Sequence, residues 1–177
     1  MHPIRLEKLV RTVFEQMQEC WEKRDYSPIR SLLTASLYQE HTAQIQGLIH
    51  NHEINRLEDL EISNIDIIHV NYTENPDKRF FTALISASAR DFYVNDSTNM
   101  LLRGDSEPAE FQEVLTFLFQ NKTWLLGRVQ QTKETTICTM KTCLNNLHLL
   151  DATKFMGIPP ARTEWLVRRC PSPNFKA

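Results

Sequence analysis

Apolar residues recur along the first fifty positions at helical spacing. Leu6, Leu9, Val10, Val13, Met17, Cys20 and Trp21 fall three or four apart, which predicts an amphipathic helix over residues 4–25. Its charges cancel, with Arg5, Lys8, Arg11, Lys23 and Arg24 set against Glu7, Glu15, Glu19, Glu22 and Asp25. A helix lying in a membrane interface carries an excess of Lys and Arg on its polar face. This helix lacks that excess, so its apolar stripe is read as core-packing surface. Ser27-Pro28 supplies an N-cap candidate followed by proline at the first helical position, which predicts a short helix over Ile29–Leu33. A longer helix is predicted from Ala35 to Asn51, with Leu37, His41, Ile45, Leu48 and His52 on one stripe. Histidines so placed are read as core or rim residues rather than ligands.

From Leu60 the period changes. Residues 62–72 are β-branched and partly alternating, which predicts a strand. Asn75-Pro76-Asp77 is a turn. A long strand follows over 79–94, with Phe81, Ala83, Ile85, Ala87 and Ala89 on one face and Leu84, Ser86, Ser88 and Arg90 on the other. Small residues there either leave a hollow beneath a covering helix or simply let the helix come close. Residues 95–109 are polar, contain Gly104 and Pro108, and read as a loop. Residues 110–120 alternate, with Phe111, Leu115, Phe117 and Phe119 on one face. Asn121-Lys122 makes a tight turn into a last strand over 123–131, completing a hairpin. Beyond it, helices are expected at about 139–150 and 162–169. Strands that follow one another without intervening helices form an antiparallel sheet. The expected fold class is α+β, with the N-terminal helices covering the concave face of a curved antiparallel sheet, because a half-apolar sheet cannot stay bare.

Composition narrows the chemistry. The 177 residues contain only four glycines, at 47, 104, 127 and 157, no two of them close. This excludes a P-loop and a GxGxxG fingerprint, which cluster glycines to bring backbone N–H groups against phosphate. No GxSxG, HExxH or Ser/His/Asp pattern is present. The net charge of −2 argues against a general nucleic-acid binder. The charge is unevenly spread, however. Residues 1–120 carry 11 basic and 19 acidic side chains, and residues 121–177 carry 9 and 3. The basic tail either folds back on the acidic body or meets an anionic surface. Its candidate surface-binding residues are Lys154, Arg162, Arg168 and Arg169.

The four cysteines, 20, 138, 143 and 170, are too sparse for a disulfide framework and point to a reducing compartment. Cys138 and Cys143 resemble half a zinc site without a second half, so neither metal nor cofactor is expected. No stretch approaches 18 apolar residues, so the chain is expected to be soluble or peripheral to a membrane.

Several segments together resemble the Tim forty-four-like family. They are Leu32-Leu33-Thr34 with Leu37-Tyr38 and Gln44-Ile45-Gln46-Gly47-Leu48; Asn55 with Leu57-Glu58-Asp59-Leu60-Glu61-Ile62 and Ile65-Asp66-Ile67-Ile68; Ala87-Ser88-Ala89-Arg90-Asp91-Phe92-Tyr93; and Glu113-Val114-Leu115-Thr116-Phe117 with Trp124-Leu125-Leu126 and Gln130. The resemblance implies a domain over 1–131 with the cystatin-like, nuclear-transport-factor-two-like cone fold, and 132–177 as a basic extension. It implies a non-enzymatic module that docks a protein or a membrane surface through its cavity rim and tail. A cytoplasmic or mitochondrial-matrix-like compartment, near an inner membrane, goes with that reading.

Two alternatives stay open. Cone folds also house isomerases and cyclases, which need an acid/base pair in an apolar cavity. The candidates for that role are His69 with Asp66, Asp91 with Tyr93, and Tyr38 or His41. Against them, a strand carboxylate or histidine more often serves a solvated face or caps backbone. The third reading is a ribosome- or RNA-associated protein, from the tail and a mitoribosomal relative of the family. A homodimer is compatible with each.

Overall fold

The computed structural model describes residues 3–132. Helix α1 (Pro3–Glu22) is followed by a 3-10 helix (Ser27–Leu32) and α2 (Ala35–His50). Five strands complete the chain: β1 (Glu53–Asn71), β2 (Phe80–Asn95), β3 (Leu101–Gly104), β4 (Ala109–Gln120) and β5 (Thr123–Gln131). All strand pairs are antiparallel, in the order β1-β2-β4-β5. β1 runs the whole length of β2, and the far edge of β2 is shared by β4, against residues 80–89, and β3, against residues 92–94. The expected α+β fold is therefore present, with its opening helices packed on one face of an antiparallel sheet.

The inward face of β2 is the floor of the core. Phe81, Ala83, Ile85 and Ala87 are buried, and they join Leu115 and Phe117 of β4, Leu126 of β5, and the α1 stripe Leu6, Val10, Val13, Phe14, Met17 and Cys20. Phe81 and Phe117 stack with centroids 4.7 Å apart, and Trp124 meets Phe81 edge-on at 4.9 Å. α1 lies closest to β1, and its buried stripe shares the core with Ala83 and Ala87 of β2. α2 begins on β5. Thr34 caps it by accepting from the Leu37 N–H at 3.3 Å, the Thr34 N–H donates to the Leu126 carbonyl at 2.9 Å, and Leu33 bridges Leu126.

Several elements differ from the sequence expectation. β1 starts at Glu53 rather than near residue 62, and the presumed loop 95–109 contains β3. Ser27 does not cap the 3-10 helix: it is the first helical residue, Tyr26 takes the N-cap position without a side-chain cap bond, and the Ser27 N–H donates to Asp25 Oδ1 at 2.9 Å. His52 lies past the end of α2 at φ 56, exposed, while Leu37, His41, Ile45 and Leu48 are buried as a stripe. The hairpin turn is as expected, and both Asn121 and Lys122 are left-handed, at φ 50 and 63. That is the geometry of a two-residue type I′ connection. The helices expected at 139–150 and 162–169 fall outside the described residues.

Gly104 closes β3 against β2. Its φ is +122, and a Cβ added there would overlap the backbone of Phe92 and Asp91. Gly104→Ala is expected to destabilise the fold by about 1–3 kcal/mol. Native-state hydrogen exchange should show the loss concentrated at residues 101–104; unchanged protection there would refute the assignment.

Candidate functional site

At the far end of the inward row of β2 the character of the face changes. After Ala89 the inward positions are Asp91 and Tyr93, and a cleft opens between the C-terminal half of α1, the first turns of α2 and the sheet. Met17, Trp21, Tyr26, His41, Tyr93 and Glu113 contribute its deeper walls, with Gln18, Glu40, Gln44 and Val129 around them. The space inside is about 60 Å³, far below the ~300–1,000 Å³ of ordinary small-molecule sites.

The walls follow from the packing of the helices. Trp21 ends the α1 stripe, Tyr26 is the N-cap residue of the 3-10 helix, and His41 lies one turn after Leu37 on the buried face of α2. The three rings meet edge to face. Trp21–Tyr26 centroids are 6.1 Å apart at 87°, Trp21–His41 5.7 Å at 78°, and Tyr26–His41 5.1 Å at 84°. Three planes so disposed form a corner. Tyr26 Oη donates to the Met17 carbonyl at 3.3 Å, which fixes its ring against α1.

Glu113 faces into this space. It belongs to the inward row of β4 with Phe111, Leu115 and Phe117, and it is only 2% exposed. A carboxylate there is costly unless it interacts. Sequence reasoning did not single out Glu113, yet its position is visible in the alternation: an acid stands where the phase of the strand demands an apolar residue.

On the rim, Trp21 Nε1 donates to Asn55 Oδ1 at 3.0 Å, and Asn55 Nδ2 donates to Asp91 Oδ1 and to the Phe92 carbonyl at 3.3 Å. Asn55 thereby ties α1 to the sheet from a buried position on β1. Arg103 of β3 lies 3.8 Å above the Tyr93 ring, held in place by paired 2.7 Å bonds to Glu53. Arg24 ties the end of α1 to Asp96 at 2.9 Å and to the Glu53 carbonyl at 3.3 Å.

Of the candidates read from the sequence, the structure brings Tyr93 and His41 into the cleft and Asp91 to its edge. His69 and Asp66 are elsewhere. They pair with Thr82 and Leu84, on the sheet face opposite Ala83 and Ile85. His69 stacks on Phe80 at 5.1 Å, and burial lowers its pKa below 6.5. Asp66 is exposed and accepts from Asn64 at 2.9 Å. Tyr38 sits under Arg30, 4.9 Å from its guanidinium carbon, and does not line the cleft. Cys20 is buried, and burial, reinforced by Glu19 and Asp25, raises its thiol pKa, the opposite of a nucleophile's requirement. Lys154, Arg162, Arg168 and Arg169 lie outside the described residues. Among the described residues, no group of three or more His, Cys, Asp or Glu side chains could hold a metal ion, and no helix is long and apolar enough to cross a membrane.

The Arg24 bond, with Ser97, holds the Asp96 carboxyl below its ordinary 3.8. A lowered carboxylate pKa stabilises the fold above the unfolded value, and that contribution disappears as pH falls through the folded one. Asp96→Asn should therefore remove part of the loss of stability seen below about pH 4. Denaturant midpoints measured from pH 6 down to 2.5 would show a shallower acid slope; an unchanged slope would count against the Arg24–Asp96 tie.

The solved structure of the intermembrane space region of chloroplast protein ARC6 shares this fold. It gives a TM-score of 0.52 at 9% identity and covers 76% of this chain and 98% of that one. AclR from Streptomyces galilaeus gives 0.35 at 11% identity, covering 82% and 90%, a level that does not establish a common fold. Comparison with curated proteins returns no match. The Tim44-like domain family, however, matches residues 3–131, from the first turn of α1 to the end of β5. The chain belongs to the Tim44-like domain family.

Proposed function

We propose that this protein is a docking module that receives a segment of a protein partner at the mouth of its cone. At the level of the family, the Tim44-like domain is a protein- and membrane-interaction module. The observation that carries the finer reading is the size and position of the cleft. About 60 Å³ between α1, α2 and the sheet suits the end of one inserted side chain rather than a whole substrate. Exposed apolar residues beside it support the same reading. Leu101 and Leu102 precede Arg103 in the strand that roofs Tyr93, and with Met100 they are 47–66% exposed. The enzyme reading draws on Glu113, His41 and Tyr93 sharing one cleft, but the space left to a substrate is too small to favour it.

A photo-crosslinking residue in place of Gln44, at the cleft mouth, is expected to capture a discrete protein partner in native cells. The same residue in place of Asp66, on the opposite face, should not. Equal capture from both positions, or none from either, would overturn the docking reading.

The charge split of the chain favours a second, additional contact, between the segment after residue 131 and an anionic membrane. Vesicles containing phosphatidylserine should co-float the full chain at low salt. Replacing Lys154, Arg162, Arg168 and Arg169 by Gln should abolish flotation; retained flotation would remove those residues from the contact.

A further inference from the structure

The sheet leaves one run of backbone open beside the cleft. β3 and β4 follow one another in the same direction along one edge of β2, interrupted by residues 105–108. β5 accompanies β4 only as far as the Glu113–Gln131 pair, and the Thr132 N–H then reaches the Gln112 carbonyl at 3.1 Å. Past that point the row next to β4 and β3 holds no strand among the described residues. An antiparallel ladder turns the N–H and C=O groups of alternate residues to opposite sides. The Asp105 N–H donates to the Asp91 carbonyl, and the Gln112 carbonyl accepts from Thr132, which fixes the phase. Leu102, Gly104 and Glu110 therefore turn their backbone groups to the open side.

An exposed edge invites another strand, and folded proteins guard theirs with bulges, charges or covering segments. β1 breaks its register three times, and Leu33 and Thr34 cover β5 at Leu126. The β3 edge instead carries Met100, Leu101 and Leu102, all exposed. The charges beside it are of one sign. Asp105, Glu107 and Glu110 are exposed, and none of the ion pairs among the described residues uses them. The basic groups nearby are engaged, Arg103 with Glu53 and Arg90 with Glu58. Such an edge can pair with the backbone of an extended chain, meeting apolar side chains at 100–102 and positive ones at 105–110.

We propose that this edge holds an extended segment of the docked partner by strand addition, the segment carrying both apolar and basic side chains. The inference rests on the docking reading for its partner and adds how the partner's backbone is held. The edge itself rests on the phase of the ladder.

The probe is an end-blocked octapeptide of alternating lysine and valine, with its glutamate–valine counterpart as control. Each is titrated into the 15N-labelled full chain, and amide hydrogen exchange is followed by NMR. The lysine peptide should slow exchange at Leu102, Gly104 and Glu110 at least tenfold. Arg103 and Phe111, whose amides already face β2, should be unchanged, and the glutamate peptide should protect nothing. Leu102→Pro removes an outward N–H and should weaken binding at least tenfold. Should that variant fail to fold, Glu110→Lys at an exposed position should weaken it several-fold in a folded protein. Protection that ignores the alternation, or equal protection by both peptides, would overturn strand addition. So would full protection in the free chain, or protection that grows with protein concentration alongside a doubled sedimenting mass, which would put a second copy on the edge. Partner capture at position 44 that is unaffected in a folded Leu102→Pro or Glu110→Lys chain would sink strand addition and leave docking intact. Alternating protection by the lysine peptide without any captured partner would do the reverse.

Discussion

The inward row of β2 is the constraint from which the rest of the structure follows. Seven alternate positions, Phe81, Ala83, Ile85, Ala87, Ala89, Asp91 and Tyr93, lie along one face of one strand. The first is locked by stacking on Phe117. Ala83 and Ala87 are buried in one cluster with the α1 stripe. The last two have polar atoms and stand at the cleft and its rim. A strand cannot change faces without a bulge, so core and cleft are two ends of one register. β2 and β4 pair from Phe80–Leu118 to Ala89–Ala109 without a break. That continuity holds Glu113 opposite Ile85, at the boundary between the dry end and the polar end.

The polar end is sustained by part-buried hydrogen bonds that also tie the layers together. Asn55 serves α1 through Trp21 and the sheet through Asp91 and Phe92. Arg103 is fixed by Glu53 and stands over the Tyr93 ring. Each of these side chains spends hydrogen bonds on holding a neighbour, and a polar network satisfied in this way rigidifies a site rather than weakening it. The cleft is therefore shaped before anything enters it, which lowers the entropic cost of binding.

How much of this could be read from the chain depended on whether phase was preserved. The α1 stripe, the β4–β5 hairpin and the inward face of β2 were legible because nothing interrupts their periods. β1 was only half legible. Its opening residues, Glu53-Ile54-Asn55-Arg56-Leu57-Glu58-Asp59, carry polar groups on both faces, since Glu53 and Asn55 on one face bond Arg103 and Phe92 while Arg56 and Glu58 on the other form an ion pair. Irregularities at Glu58/Glu61, Ile62/Asn64 and Ile67/His69 then shift its phase. The last of these puts Asp66 and His69 on the same outer face, although their odd separation would set them on opposite faces of a regular strand. β3, at four residues, was too short to register against the polar turn chemistry around it. Glu113 was legible in principle, as a charge on an apolar row, but a single exception in an alternating segment is easily absorbed by the pattern.

The contact between Leu33–Thr34 and Leu126 has a consequence for how the chain is made. It joins the start of α2 to the last strand, more than ninety residues later. During synthesis at about 5–20 residues per second, both helices leave the ribosome roughly 4–15 seconds before β5 follows. In that interval β1 and β2 already follow the helices and can cover the α1 stripe, but Leu33 and Thr34 still lack the strand they join. The opening of α2 therefore closes onto the sheet late, when translation of the cone is nearly complete.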